Sequence, residues 1–155
     1  MDRSLSDAIA LAAVAHGNAM DKSGQPYITH PIRVMVRCGE YGLHSQMAAV
    51  LHDTVENTWV TLDLLRTIGF PHDVIEAVDA ISRRKAQHES YEQYILRCSR
   101  NSMAALIKLA DIDDNSDPRR RFGDHYERLM ARYAAAREVL LASLDESRER
   151  RLHVG

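Results

Sequence analysis

The sequence predicts an all-α protein built as a single compact bundle of roughly seven to eight helices. Apolar residues recur at helical spacing in one segment after another, and capping residues, glycines and prolines separate these segments. The nearest approach to a strand pattern, TWVTL, covers only 58–62. A length of 155 residues suits one domain with one core, so we assign 1–155 to a single domain and expect 147–155 to be its frayed tail.

The first two predicted helices are separated by a break that contains glycine and proline. Ser4 or Ser6 is suited to cap the first helix, because a short hydroxyl side chain can accept a hydrogen bond from the first turn. Pro31 is suited to the first position of the second helix, and Gly39 and Gly42 would end that helix.

The middle of the chain predicts three further helices. The third runs from about Ser45 to Glu56, and Thr61 is suited to cap a fourth that Gly69 would stop. Pro71 opens a fifth helix whose apolar residues share one face, at Val74, Ile75, Val78 and Ile81.

The remaining chain predicts the last helices of the bundle. Ser90 is suited to cap YEQYILRCS, and another helix follows in SMAALIKLADI, 102–112. The final helix is expected to start near Asp124, with an apolar face at Leu129, Tyr133, Leu140 and Leu144.

Composition limits the classes of partner and the compartment. The formal net charge of −2 gives no general attraction to nucleic acid polymers or anionic membranes, and no run of about 18 apolar residues predicts a membrane span. Cys38 and Cys98 stand alone, which is typical of a reducing compartment, and the N-terminus lacks the positive start of a signal peptide. We therefore expect a cytoplasmic protein; its oligomeric state stays open.

Four polar residues stand at the edges of apolar helices: His30, His52, Asp53 and Asp111. Charged groups at such places are costly to bury unless they are paired or bind a metal ion. Two imidazoles and two carboxylates form a mixed nitrogen–oxygen ligand set that suits Mn²⁺, Fe²⁺ or Zn²⁺. Taken singly, each residue also fits an ordinary hydrogen-bonded histidine or a solvated helix end, so spacing alone leaves both interpretations open.

Three successive segments resemble the signatures of the HD-domain phosphohydrolases, and in particular the hydrolase domain of RelA/SpoT-type proteins and the small alarmone hydrolases. They are SGQPYITHP at 23–31, AAVLHDTVENT at 48–58 and LIKLADIDDN at 106–115. The family pattern is close to SGEPYITHP, AALLHDTVEDT and KLADRLHN, in the same order. The resemblance extends from the first helix to about Asn115 and implies an HD-domain helical bundle.

The resemblance implies a function and a set of site residues. The family substrate is guanosine tetra- or pentaphosphate, which is cleaved at the 3′-pyrophosphate; a related phosphorylated nucleotide is the alternative substrate. One Mn²⁺, or another divalent ion, is expected to be held by the four residues His30, His52, Asp53 and Asp111. Glu56 takes the first position of the family's catalytic Glu-Asp pair, and the positions that contact the nucleotide in the family correspond to Lys22, Ser23 and Asn115.

The residues agree chemically with that role. A carboxylate one turn after the His-Asp pair, as Glu56 is, can accept the proton of an attacking water. Lys22, Lys108 and Arg33 are candidates to pair with the pyrophosphate, although each also fits a solvated charge. Tyr27 is suited either to stack on a base or, as we favour, to fill the core.

The sequence departs from the family pattern at several positions. Asn57 replaces the Asp of the catalytic pair, so we expect proton transfer to depend more on Glu56. Asp21 replaces an Arg that faces the base, and Ile112 and Asp114 replace an Arg and a His. These changes predict a more acidic pocket, which is unfavourable for a polyanion. They also motivate the alternative function of a catalytically weakened, metal-stabilised nucleotide-binding or regulatory module.

Overall fold

The fold is all-α. The computed structural model describes residues 3–120 and 125–153, with the Arg120 side chain excepted. In this part of the chain there are eight α-helices of at least seven residues and one single-turn α-helix, which confirms the predicted bundle. The helices are α1 (Leu5–His16), α2 (Thr29–Arg37), α3 (Leu43–Leu51), α4 (Thr54–Asn57), α5 (Leu62–Ile68), α6 (His72–Ile81), α7 (Tyr91–Ser99), α8 (Ser102–Asn115) and α9 (Tyr126–His153).

The predicted caps begin and end their helices. Ser4, rather than Ser6, caps α1, and its hydroxyl accepts a hydrogen bond from the Asp7 N–H at 3.3 Å. Thr61 caps α5 in the same way, and Gly69 ends that helix in the left-handed conformation at φ 90°. A residue with a Cβ would be strained there, which explains the glycine.

The second helix begins two residues earlier than predicted. The Thr29 N–H bonds the Pro26 carbonyl and the His30 N–H bonds the Tyr27 carbonyl, so a turn precedes Pro31 and joins α2. Proline is accepted at this point because an N–H in the first helical turn has no partner within the helix. His30 therefore lies inside the first turn of α2.

The prediction of one continuous third helix from Ser45 to Glu56 is wrong. α3 starts at Leu43 and ends at Leu51, and a turn at His52 and Asp53 precedes the single turn of α4. The Thr54 hydroxyl donates to the Leu51 carbonyl at 2.7 Å and fixes this turn. Successive side chains point about 100° apart in a continuous helix, so the break changes where His52 and Asp53 point.

The core is centred on α3, whose residues 48–51 are fully buried. α3 packs against α1, α2, α6 and α8, while α9 packs against α7 and α8. The predicted apolar face of α6 is buried at all four of its positions. α9 buries Leu140 completely but leaves Leu129 36% exposed, so its two halves differ in their packing.

The ends of α9 were predicted less completely. The predicted start at Asp124 lies outside the described residues, and the described helix begins at Tyr126. In the predicted tail, α9 continues as a helix to His153, and 154–155 lie outside the described residues. None of the helices described has both the length and the hydropathy required to cross a membrane.

Candidate metal centre and adjoining cavities

Four side chains from three parts of the fold converge on one point. α2 supplies His30, the turn after α3 supplies His52 and Asp53, and α8 supplies Asp111. His30 Nε2 lies 3.1 Å from Asp111 Oδ1 and 3.6 Å from Asp53 Oδ2. His52 Nε2 lies 3.2 Å from Asp53 Oδ2 and 3.7 Å from Asp111 Oδ1. The ligand atoms of His30, His52 and Asp53 all lie within 4.8 Å of one another, and Asp111 Oδ1 lies beside this group, close to both imidazoles.

The spacing fits a divalent metal ion. An ion about 2.1 Å from each nitrogen or oxygen ligand places adjacent ligand atoms about 3.0–3.4 Å apart, depending on tetrahedral or octahedral geometry. The two shorter distances fall within that range, and the two longer ones exceed it by a few tenths of an ångström.

The imidazole tautomers direct lone pairs at the centre. His52 Nδ1 donates to the Ala49 carbonyl at 2.7 Å, so in the neutral imidazole the lone pair is on Nε2. This Nε2 is buried and has no hydrogen-bond partner among the residues described. A lone pair 3.2 Å from the Asp53 carboxylate requires a proton or a cation between the two atoms. Cation binding is therefore the arrangement that the neutral imidazole favours.

Electrostatics at the centre favour positive charge. Burial by itself lowers the pKa of His52, but the facing Asp53 and Asp111 carboxylates raise this pKa well above its usual value. Burial likewise raises the pKa of Asp111, yet the Lys108 ammonium and the two imidazoles hold it well below its usual range. The carboxylates thus stay ionised and attract a cation toward the imidazoles.

Three further side chains hold the two carboxylates in place. The Tyr27 hydroxyl donates to Asp53 Oδ2, so Tyr27 bonds a metal-site carboxylate rather than only filling the core. Lys108 Nζ donates to Asp111 Oδ2 at 2.7 Å, and Asn115 Nδ2 donates to Asp111 Oδ1 at 2.8 Å. Such partners of metal ligands fix the ligand orientation and affect metal affinity.

Asp114 orients His30, a role that sequence reasoning missed. Its Oδ2 accepts a hydrogen bond from His30 Nδ1 at 2.7 Å, which leaves His30 Nε2 to face the centre. Arg33, a predicted pyrophosphate partner, instead binds Asp114 with its Nε at 2.7 Å. Asp111 and Asp114 are three residues apart and share a face of α8. This spacing was the signal that could have identified Asp114.

A cavity of about 530 Å³ opens beside the metal centre. Besides the four ligands, it is lined by Glu56, by aromatic residues and by cationic side chains. Among the described residues, five lysines and arginines line it: Lys22, Arg83, Lys85, Lys108 and Arg132. Of the positions predicted to make the pocket more acidic, Asp114 lies outside this lining and pairs with Arg33 and with His30.

Glu56 and Asn57 differ in their surroundings. Glu56 Oε1 pairs with Lys85 Nζ at 2.6 Å, and its Oε2 accepts the Arg83 backbone N–H at 3.0 Å. The carboxylate is thus held at the cavity wall. Asn57 is exposed and does not belong to the described lining of the cavity.

A second cavity of about 380 Å³ adjoins the first and shares Lys22 and Asn115 with it. Ser23 and Asp21 also line this second cavity. Asp21 Oδ1 accepts hydrogen bonds from the Ser23 N–H at 2.8 Å, the Ser23 hydroxyl at 2.6 Å and the Gln25 N–H at 3.0 Å. Asp21 therefore organises the 21–25 turn, which the resemblance alone did not predict.

Comparison with known proteins gives relatives for most of the chain. It is 37% identical over 116 residues to a guanosine-3′,5′-bis(diphosphate) 3′-pyrophosphohydrolase from Haemophilus influenzae, which covers 68% of this chain and 17% of that protein. It is 34% identical over 122 residues to the bifunctional (p)ppGpp synthase/hydrolase SpoT of Escherichia coli K12, covering 72% of this chain and 17% of that protein. The chain thus spans about a sixth of the length of these curated relatives. No family model matches the chain.

A solved structure is similar over nearly the whole length of both chains. It is described as a metazoan ortholog of SpoT that hydrolyses ppGpp, and it is 26% identical in sequence. The superposition has a TM-score of 0.67 and covers 95% of this chain and 94% of the other. The similarity therefore includes the helices that supply the metal centre.

Proposed function

Because the chain belongs to the HD-domain hydrolases of the RelA/SpoT type, we propose that it is a metal-dependent hydrolase that removes the 3′-pyrophosphate of guanosine tetra- or pentaphosphate. The observation that carries the proposal is the convergence of His30, His52, Asp53 and Asp111 beside a cavity rich in cations. A buried cation site next to such a cavity is what hydrolysis of a polyphosphate requires.

We propose Mn²⁺ as the ion, held by His30, His52, Asp53 and Asp111, because mixed imidazole and carboxylate ligands suit this metal. When bound, a divalent ion there would supply Lewis acidity, which lowers the pKa of a water and withdraws charge from phosphoryl oxygens. Asp114, Tyr27 and Asn115 support the ion indirectly, since they fix the ligating side chains.

In the proposed reaction, a water oxygen attacks the phosphorus that is attached to the ribose 3′-oxygen. The bond from this phosphorus to the 3′-oxygen then breaks. The pyrophosphoryl group is transferred to the water oxygen and the 3′-oxygen leaves with a proton. Glu56 is the base that accepts a proton from the water, since it is the carboxylate at the cavity wall that holds no metal. Its contacts with Lys85 and the Arg83 N–H fix its orientation.

The remaining predicted residues are proposed to bind the nucleoside side of the substrate. Lys22 and Asn115 line both cavities and Ser23 lines the second one, so a ligand that spans the two cavities contacts all three. Tyr126 and Tyr133 line the second cavity and offer aromatic surface to a base. In this proposal the nucleoside lies in the second cavity, which Glu56 does not line.

The test is a hydrolysis assay on Mn²⁺-loaded and chelator-treated protein, with ppGpp, pppGpp and NADPH as substrates and products resolved by chromatography. Release of pyrophosphate from ppGpp that requires the metal is expected. His52→Ala and Asp53→Ala should each lower the rate by at least about a hundredfold, because each removes a metal ligand. His44→Ala is the control, since His44 pairs with Asp73 at the surface. Full activity of either ligand variant would contradict the proposal.

The alternative, a regulatory module that binds alarmones without turnover, rests on Asn57 in place of the family Asp. It predicts tight ppGpp binding by calorimetry, no product from the native protein and measurable turnover in Asn57→Asp. Metal-dependent turnover by the native protein would dismiss it.

A further inference from the structure

Apart from the metal centre, two buried polar groups of the larger cavity have no hydrogen-bond partner among the residues described: Arg83 Nε and the Tyr91 hydroxyl. Within the described part of the chain, four buried side-chain atoms lack such a partner, and three of them belong to residues that line this cavity. His52 Nε2 faces the metal centre, whereas Arg83 Nε and the Tyr91 hydroxyl do not belong to it. Leaving a buried polar group without a partner destabilises the protein. A ligand that bonds both groups would recover this cost.

The surroundings hold both groups in position. The Arg83 backbone N–H binds Glu56, and its Nη2 donates to the Glu89 carbonyl at 3.3 Å, so the guanidinium is anchored while its Nε is left over. The Tyr91 ring lies 4.9 Å from the Arg132 guanidinium carbon and 5.9 Å from the Tyr94 ring. Both atoms are buried behind the cavity wall, so a ligand reaches them through a small rotation of these two side chains.

A continuous series of contacts connects this region to the metal centre. The Tyr94 ring, next to Tyr91, lies 5.3 Å from Lys108 Nζ. Lys108 in turn binds the metal-site carboxylate of Asp111 at 2.7 Å. A ligand group that extends from the metal centre past Lys108 would therefore reach Tyr91. Arg83 and Tyr91 do not line the second cavity, so this group would lie apart from the proposed nucleoside site.

The chemistry of the region selects an anion that accepts hydrogen bonds. Arg83 and Arg132 are cationic donors, and a tyrosine hydroxyl donates to an ionised oxygen. On the basis of the proposed function, the phosphorus under attack lies at the metal centre, and the group attached to it on the side away from the ribose is a second phosphate. A terminal phosphate carries ionised oxygens that match these donors.

We infer that Arg83 and Tyr91 form a subsite for the terminal phosphate of the pyrophosphoryl group. The subsite gives the enzyme its preference for a 3′-diphosphate over a 3′-monophosphate, since only the former presents a phosphate at this distance from the ribose. Arg83 and Tyr91 are thus specificity-determining residues, and they are distinct from the metal ligands and from Glu56.

The first experiment titrates metal-loaded protein with inorganic pyrophosphate and, separately, with orthophosphate in a calorimeter, with the metal content measured before and after. Native protein should bind pyrophosphate at least about tenfold more tightly, as expected for one or more charge-assisted hydrogen bonds. Tyr91→Phe and Arg83→Met should each lower pyrophosphate affinity about three- to tenfold, while orthophosphate affinity changes less than about twofold.

Two matched controls accompany these variants. Arg84→Met removes the same charge from the next residue, which pairs with Asp79 and lies outside the cavity lining. Tyr41→Phe removes the hydroxyl of a tyrosine that is 44% exposed and does not line the cavity. Both should retain the native preference for pyrophosphate. Tyr91→Phe changes a single atom, so it tests the subsite even where Arg83→Met folds poorly.

The second experiment compares kcat/KM for guanosine substrates that carry a 3′-diphosphate or a 3′-monophosphate. Tyr91→Phe should reduce the ratio of the two values and leave the monophosphate value unchanged. Equal losses of kcat/KM for both substrates, or no loss for either, would overturn the subsite. If the native protein hydrolyses neither substrate but keeps its pyrophosphate preference, the proposed function fails and the subsite stands.

Discussion

At the scale of single residues, the hydrogen bond on the far side of an imidazole determines whether that imidazole can bind a metal. His30 has the buried Asp114 carboxylate on its Nδ1, and Arg33 in turn balances the charge of Asp114. Burial raises the pKa of Asp114, but the bonds from His30 and Arg33 lower it below the usual range. Asp114 therefore stays ionised and keeps His30 Nε2 directed at the centre.

Replacing Asp114 should weaken metal binding without removing a ligand. We expect Asp114→Asn to lower Mn²⁺ affinity by about 10- to 100-fold, the usual effect of losing a partner of a metal ligand. The measurement is a metal titration of chelator-treated protein. Asp113→Asn is the matched control, because Asp113 is exposed and pairs with Arg137 at the surface. Equal losses in both variants would indicate a general effect of charge rather than orientation of His30.

At the scale of elements, short helices with defined ends carry the site. The turn between α3 and α4 presents two ligands, and α7 presents Tyr91 and Tyr94 from its first turn. Ser90 caps α7: its hydroxyl accepts the Gln93 N–H at 3.1 Å, and Gln93 Oε1 accepts the Ser90 N–H at 2.9 Å. This reciprocal pair fixes where the first turn of α7 begins.

Removal of the α7 cap should destabilise the protein modestly. Ser90→Ala is expected to reduce the free energy of unfolding by about 1 kcal/mol, since it leaves the Gln93 N–H without its partner. Urea unfolding followed by circular dichroism measures this change. Ser99→Ala, at the other end of α7, should have a smaller effect because its hydroxyl only bonds the Leu96 carbonyl. A larger loss in Ser99→Ala would show that the cap is not the stabilising feature.

The long helix α9 is held by few buried side chains. Leu140 is fully buried, whereas the neighbouring Leu141 is 47% exposed. We expect Leu140→Ala to reduce the free energy of unfolding by about 2–5 kcal/mol, because it removes core contacts and leaves a cavity. Leu141→Ala should reduce it by less than about 1 kcal/mol. Thermal unfolding of the two variants side by side gives the comparison, and similar melting temperatures would contradict the described packing.

At the scale of the whole molecule, the metal centre links α2, the α3–α4 turn and α8 through a cluster of buried charges. Without a metal ion, burial lowers the pKa of both imidazoles, but Asp111 and Asp114 raise the pKa of His30 and Asp53 and Asp111 raise that of His52, with a net increase in each. A histidine whose pKa is raised by folding stabilises the folded state. This stabilisation is fully present below the pKa of the unfolded state, about 6.5, and is lost as the pH rises through the pKa of the folded state. The lowered pKa values of Asp53 and Asp111 stabilise the folded state fully above about pH 4, so their contribution to stability is constant in this range.

Metal ions should therefore stabilise the protein more at alkaline pH than at acidic pH. We expect the melting temperature of chelator-treated protein to fall as the pH rises above about 6.5, while that of Mn²⁺-loaded protein stays nearly constant. At a hundredfold excess over Kd, the ion should add about 2.7 kcal/mol, or roughly 5–10 °C. Differential scanning calorimetry at several pH values measures both curves. An increase in melting temperature on adding Mn²⁺ that becomes smaller as the pH rises would contradict this account of the buried charges.

The helices could be predicted from the sequence because their signals are local. Ser4, Thr61, Gly69 and Ser90 begin or end helices as predicted, since a cap or a left-handed residue acts within one turn of its own position. The break after Leu51 was missed because local propensity there favours a continuous helix. It is fixed by the Thr54 bond to the Leu51 carbonyl and by packing around α3.

The sequence by itself determined the fold class, the helix caps and, through the resemblance, the candidates His30, His52, Asp53 and Asp111. Only the tertiary structure decided that these four side chains lie close together, that Asp114 binds both Arg33 and His30, and that Arg83 and Tyr91 line the cavity. The physical reason is range. Caps and apolar faces depend on neighbours within one or two turns, whereas a site depends on where α2, α7, α8 and the α3–α4 turn are placed when the common core is packed.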